Sequence, residues 1–194
     1  MRIIAGKYKA KKIISPKTEK TRPTLDRVKE AVFSMLNPYI VDANVLDLFS
    51  GTGNLGLESI SRGAKFAWMN DKEKVAISTI ISNVKLTKSE KYVKITNKDY
   101  TKCLDQIIKE NVCFDIIFLD PPYDSKLGIN SLQIISDSWL NILSQNGILI
   151  YETDKNFVKK YGERMNLEQF NNLVCVDTRT YGNVVLKIYK WRDL

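Results

Sequence analysis

From residue 45 onward, short apolar runs alternate with longer amphipathic stretches. Val45–Phe49, Phe66–Met69, Val93–Thr96, Phe114–Leu119 and Ile148–Tyr151 have the length and β-rich character of strands. The stretches between them are helical in pattern, Leu57–Arg62 and Thr101–Glu110 among them. Strand and helix in alternation predict an α/β fold, with a parallel sheet covered on both faces. The last segment departs from that rhythm. Leu173–Asp177 and Val184–Tyr189 are joined by only Thr178-Arg179-Thr180-Tyr181-Gly182-Asn183, so an antiparallel hairpin is expected at the sheet edge.

The first residues follow a different pattern. Arg2-Ile3-Ile4-Ala5 and Lys12-Ile13-Ile14 flank Gly6-Lys7-Tyr8-Lys9, which predicts a short basic β-hairpin with Tyr8 interleaved among lysines. Arg22-Pro23-Thr24 then halts extended structure and opens a helix. Thr24 is the expected cap, and Leu25, Val28, Val32 and Met35 form the face that packs on the core. Arg27, Lys29 and Glu30 fall on the other faces. The expected division is a basic arm over residues 1–22 and a catalytic domain over residues 23–194.

Charge sharpens that division. The chain of 194 residues carries +8 overall. Residues 1–22 hold eight Lys/Arg against Glu19 alone, so the arm is +7 and the remainder only +1. A polycationic segment on a nearly neutral body suits a polyanionic partner, nucleic acid first. Arg2, Lys7, Lys9, Lys11, Lys12, Arg22, Thr24 and Arg27 are the candidate nucleic-acid contacts. The chain lacks histidine entirely, which removes Ser-His and Cys-His nucleophilic catalysis and most zinc hydrolase designs. Its three cysteines have no CxxC spacing, so no metal site or disulfide framework is expected. Without a long apolar run or a secretory stretch, the expected location is the cytoplasm.

The chemistry is concentrated at two strand ends. Val45-Leu46-Asp47-Leu48-Phe49 feeds Ser50-Gly51-Thr52-Gly53-Asn54-Leu55-Gly56, a GxGxxG turn that opens a helix, and Asp71 follows the next strand. Glycines here allow tight turning and close ligand approach, and an acid about 20 residues on suits ribose hydroxyls. Both a dinucleotide and S-adenosylmethionine use such a turn. Asp47, four residues ahead of the first glycine, favours the second, because a carboxylate suits a cationic amino acid moiety and repels pyrophosphate. Asp99, after the third strand, has two readings: acceptor for an adenine amine, or cap of the helix behind it.

The second strand end is the sharper signal. Phe114–Leu119 runs into Asp120-Pro121-Pro122-Tyr123. Consecutive prolines fix φ and restrict the residue before each, so this corner has little backbone freedom. Asp120 and a neighbouring carbonyl can then accept both hydrogens of an –NH₂ group, while Tyr123 offers a face for the base. Methyl transfer from a sulfonium needs orientation and electrostatics more than an imidazole, so the absence of histidine fits.

Together these residues resemble a known family. Leu46-Asp47-Leu48-Phe49-Ser50-Gly51-Thr52-Gly53, Gly56-Leu57-Glu58-Ser59-Ile60-Ser61-Arg62-Gly63-Ala64, Asp71 and Asp120-Pro121-Pro122-Tyr123 are joined by Arg2-Ile3-Ile4-Ala5-Gly6 and Arg22-Pro23-Thr24-Leu25-Asp26-Arg27-Val28-Lys29-Glu30. This set is similar to the RsmD family of small-subunit (16S) ribosomal RNA guanine-N2 methyltransferases. The resemblance implies a Rossmann-like class I methyltransferase fold with a seven-stranded, mostly parallel sheet. It implies S-adenosylmethionine as cofactor, with candidate contacts at Asp47, Phe49, Gly51, Thr52, Gly53, Gly56, Asp71 and Asp99, and an amine-binding role for Asp120, Pro121, Pro122 and Tyr123. The partner it implies is ribosomal RNA within the small subunit, without metal or membrane. The family usually carries glutamate where Asp71 stands. Competing readings are a DNA adenine-N6 methyltransferase sharing the tetrapeptide, an NAD-dependent oxidoreductase sharing the glycine turn, and a non-catalytic RNA-binding module.

Overall fold

The computed structural model describes residues 1–15, 23–122, 125–138 and 141–192. Its elements run α1 (Pro23–Leu36), β1 (Asn44–Asp47), α2 (Asn54–Ser61), β2 (Phe66–Asp71), α3 (Lys74–Thr87), β3 (Val93–Asn97), α4 (Tyr100–Lys109), β4 (Phe114–Leu119), α5 (Leu127–Asp137), β5 (Leu143–Asp154), α6 (Lys155–Met165), β6 (Gln169–Phe170), β7 (Leu173–Tyr181) and β8 (Val184–Trp191). They build one sheet in the order β3-β2-β1-β4-β5-β8-β7-β6. The first five strands are parallel and the β8, β7 and β6 pairings are antiparallel. The expected architecture is present, with one strand more than expected because Gln169–Phe170 adds a two-residue edge.

The pattern that predicted buried strands has a simple origin. β1 and β4 lie centrally, and two apolar clusters cover the two faces of the sheet: one holds Phe33, Val45, Met69, Ile116 and Ile148, the other Leu46, Trp68, Ile117, Leu132 and Leu149. Alternate residues of one strand therefore enter different cores, so Ile116-Ile117-Phe118-Leu119 of β4 reads as an unbroken apolar run. Among the described residues no helix is long and apolar enough to cross a membrane.

The N-terminal segment differs from expectation in form. Arg2 and Lys12 make a single antiparallel bridge, closed by Ile3 N–H to Lys11 C=O at 3.0 Å and Ala10 N–H to Ile3 C=O at 2.9 Å, and no regular strands form. Three apolar anchors instead sink into the core: Ile3, Tyr8 and Ile13 are all buried. Tyr8 is thus a packing residue, while Arg2, Lys7, Lys9, Lys11 and Lys12 stay exposed. Thr24 lies inside the first turn of α1, which begins at Pro23, and not ahead of it. Arg22 lies outside the described residues.

Candidate functional site

The carboxyl ends of β1, β2, β4 and β5 open into a cavity of about 1100 Å³. Asp47, Phe49, Gly51, Thr52, Asp71, Asp99, Asp120, Pro121 and Pro122 all line it. Residues separated by more than 70 positions in sequence are brought together because β1 and β4 are neighbours in the sheet. Asp47 is registered with Phe118, so Asp120 stands two residues further along the adjacent strand, at a backbone separation of roughly 8 Å given ordinary strand spacings. Tyr123 lies outside the described residues.

The glycine turn owes its shape to two left-handed residues, Gly51 at φ 54° and Gly53 at φ 77°. Gly53 N–H donates to Ser50 C=O at 2.7 Å, closing the turn, and α2 starts at Asn54. Gly53 and Gly56 are buried behind the cavity wall and do not line it. A Cβ at Gly56 would stand 2.7 Å from Met69 Cγ and Sδ, so this glycine lets α2 approach β2 closely.

Asp47 is the electrostatic centre of the turn. It is 1% exposed. Its Oδ2 accepts the Gly56 N–H at 3.1 Å, and its Oδ1 is buried without a hydrogen-bond partner among the described residues. Burial, reinforced by the nearby Asp71 charge, pushes its carboxyl up to about 6. Two consequences follow. The first-turn amide of α2 that could hold a ligand anion is already taken by the protein's own carboxylate, which disfavours a pyrophosphate there. The unpartnered oxygen in a cavity wall fits a cationic amino group. The wider lining agrees in sign, with carboxylates of Asp47, Asp71, Glu73, Asp99, Asp120 and Glu152 against ammonium groups of Lys29, Lys72 and Lys98.

Asp71 braces the turn as well as facing the cavity. Its Oδ2 accepts Gly51 N–H and its Oδ1 accepts Glu73 N–H, each at 2.9 Å. Asp99 caps α4 through Oδ1, which accepts the Thr101 N–H at 3.0 Å and the Thr101 hydroxyl at 2.8 Å. The capping role is therefore real, and the residue also lines the cavity. At the proline corner Pro121 is buried and Pro122 exposed. The Ser125 hydroxyl donates to the Pro122 carbonyl at 2.6 Å.

Several lining residues were not anticipated. Tyr100 packs against Phe49 with ring centroids 5.9 Å apart, forming an aromatic wall. Lys29, assigned from sequence to an outward face, is 4% exposed. Its Nζ donates to Arg2 C=O at 2.7 Å and Asn54 Oδ1 at 2.9 Å and stands 3.3 Å from Glu58. Its position between Val28 and Val32, four residues after Leu25, is the signal for burial on the apolar stripe. Gly182 and Asn183, at the tip of the β7–β8 hairpin, also reach the cavity, and only the sheet order brings them there.

Comparison with known proteins agrees with this architecture. The family described as conserved hypothetical protein 95 matches residues 1–190. YlbH of Bacillus subtilis, named as a candidate rRNA methyltransferase, is 33% identical over 99% of this chain and 100% of its own length. Ribosomal RNA small subunit methyltransferase D of Haemophilus influenzae is 32% identical over 94% of each. Among solved structures, yhhF of Escherichia coli, described as a candidate methyltransferase, superposes with a TM-score of 0.80 at 26% identity, covering 100% of this chain and 99% of its own. From its amino-terminal bridge to its last strand, this chain belongs to the conserved hypothetical protein 95 family, which is the RsmD family.

Proposed function

We propose that the protein transfers a methyl group from S-adenosylmethionine to the exocyclic N2 amine of a guanine in small-subunit ribosomal RNA. The observation that carries this reading is the meeting, in one cavity, of a buried carboxylate with an unpartnered oxygen and the rigid Asp120-Pro121-Pro122 corner. The names of the relatives supply the RNA: one is an rRNA small subunit methyltransferase D, and another a candidate rRNA methyltransferase.

S-adenosylmethionine, when bound, supplies an activated methyl on a sulfonium. The chain's residues do the rest. Asp47 holds the cationic amino group, and Phe49 with Tyr100 gives the adenine an aromatic wall. Gly51 lets the ligand approach the backbone, since no atom lies within 4 Å of a Cβ built there. Asp120 accepts one hydrogen of the substrate amine. The second acceptor is the carbonyl of Pro121, the residue next to Asp120 in the same rigid corner; the Pro122 carbonyl already accepts from Ser125. Two acceptors fix the –NH₂ group and aim its lone pair at the methyl, which is catalysis by orientation. An aryl amine that has just gained a methyl is a strong acid while it keeps its extra proton, so no base stronger than a carboxylate is required. The target base leaves its stack to reach this corner.

The test offers labelled methyl donor with unmodified rRNA, small subunits and plasmid DNA side by side, followed by nucleoside mass spectrometry. N2-methylguanine in RNA is expected, and Asp120→Ala should remove it while leaving cofactor binding intact. Methylation of DNA adenine in preference to RNA, or transfer that survives Asp120→Ala, would overturn the reading.

A further inference from the structure

Lys7 and Lys11 of the N-terminal segment do not line the cleft. Lys11 Nζ donates to Leu86 C=O at 2.6 Å, at the last turn of α3, and Lys7 N–H donates to Ser61 C=O at 2.7 Å, at the last turn of α2. The cleft is at the other end of α3, where Val75 and Ala76 line it. A helix rises about 1.5 Å per residue, so Val75 and Leu86 are separated by about 17 Å along α3. A short turn over Glu90–Tyr92 leads into the start of β3 at this same far rim.

Here two tyrosine rings hold three ammonium groups. Lys7 Nζ lies 5.5 Å from the Tyr8 ring centroid and 5.9 Å from that of Tyr92. Lys11 Nζ lies 5.9 Å from the Tyr8 ring, and Lys91 Nζ lies 4.8 Å from the Tyr92 ring. The buried Tyr8 anchors the arrangement from below. Glu90, in the same turn, is the nearest acid in sequence. Free lysines lose much rotamer entropy when they bind, and ammonium groups already held over aromatic faces lose less. Lys91, through a hydrogen bond and its charge, and to a lesser extent Lys7 lower the Tyr92 hydroxyl from its ordinary range, in keeping with a positive local potential.

We propose that Lys7, Lys11 and Lys91, held over the rings of Tyr8 and Tyr92, form an RNA phosphate-binding site at the rim of the sheet opposite the catalytic cleft. The inference rests on the reading of RNA as substrate and adds a consequence: the RNA contacts the protein well beyond the methylated base. Contact confined to the cleft would need neither Lys91 nor Tyr92.

Binding of unmodified small-subunit rRNA, measured by fluorescence anisotropy across a salt series, tests it. Each phosphate contact contributes roughly 0.7–0.9 to the slope of log affinity against log salt. Lys91→Gln should lower that slope by about one contact and Lys7→Gln with Lys91→Gln by about two. Tyr92→Leu, which removes no charge, should keep the slope and raise Kd roughly two- to five-fold, the size of an exposed cation–π contact. Lys65→Gln with Lys109→Gln serves as an equal charge change at exposed positions elsewhere, and melting with and without S-adenosylhomocysteine checks the fold. A slope unchanged by Lys91→Gln, or lowered equally by the control pair, overturns the proposal. The wild-type transfer assay stands apart: if no methyl reaches RNA, the functional reading fails whatever the slopes show.

Discussion

Asp47 carries opposing demands on one carboxylate. Its carboxyl is raised from 3.8 to about 6, with burial as the main cause. Between those values the folded protein holds a proton that the unfolded chain has released, so this group's contribution to stability falls as pH rises from about 4 to about 6 and is constant above. The shift corresponds to roughly 3 kcal/mol lost at neutral pH. Asp47→Asn should therefore melt higher than wild type at pH 7 and lose that pH dependence. Cofactor binding runs the other way, because only the ionised carboxylate attracts a cationic amino group. Calorimetric affinity for S-adenosylhomocysteine should fall roughly tenfold for each pH unit below about 6 in the wild type, and Asp47→Asn should bind weakly at every pH. Similar affinities of the two proteins at pH 7.5 would remove Asp47 from the cofactor site. That Asp47 mattered was readable from its place before the glycines. That one of its oxygens is spent on Gly56 was not, because the bond depends on how α2 returns over β1.

At the scale of elements, the alternation of apolar runs located every parallel strand, since the sheet is covered on both faces and most positions of each run are apolar; β5 begins five residues ahead of its run, at Leu143. What escaped were elements fixed by partners distant in sequence. Glu58, on α2, reads as an ordinary surface acid, yet it is 0% exposed. It accepts Ile4 N–H at 2.7 Å, Ala5 N–H at 3.0 Å and Arg62 Nε–H at 2.8 Å, and pairs with Lys29. Asn83 does the same on α3: its amide donates to Ile14 C=O and Thr52 C=O and accepts from Ile14 N–H. No local pattern announces such hubs, because the backbone groups that define them, Ile4 and Ala5 for Glu58 and Ile14 for Asn83, lie 53 to 69 residues away. Gly6 shows why the segment tolerates so little. It has φ +80°, and a Cβ would meet the Ser61 carbonyl oxygen at 1.8 Å. That contact is with backbone and cannot be relieved by a rotamer change, so Gly6→Ala should lower stability by about 3 kcal/mol or more through strain and overpacking. Chemical denaturation reads this directly, and a loss below 1 kcal/mol would show that the segment docks differently.

For the whole molecule, the charge asymmetry marks residues 1–22 as a basic arm, and within it Ile3, Tyr8 and Ile13 pack into the body. Ile3, Tyr8 and Ile13 are buried, and full burial of such side chains contributes roughly 1.5–3 kcal/mol each, about 5–9 kcal/mol together. That is comparable with the entire stability of an ordinary domain. Glu58 would keep a buried charge with two of its amide donors gone, and Asn83 would lose its partner at Ile14, adding to the loss. Asn83 also holds Thr52 in the cofactor turn, so the segment and the cleft share one support. Deleting residues 2–15 should therefore abolish cooperative unfolding and cofactor binding as well as RNA binding. Replacing Lys7, Lys9, Lys11 and Lys12 by glutamine leaves every buried anchor in place. That variant should melt near the wild-type temperature and bind S-adenosylhomocysteine normally, while the salt slope of RNA binding falls by roughly 3. Melting curves and salt titrations on the two proteins separate the roles: a deletion variant that still folds and binds cofactor would show that the segment is an appendage after all. On the proposed function, the expected pair of outcomes would assign the charge in this segment to the substrate and its apolar and backbone groups to the fold that shapes the glycine turn.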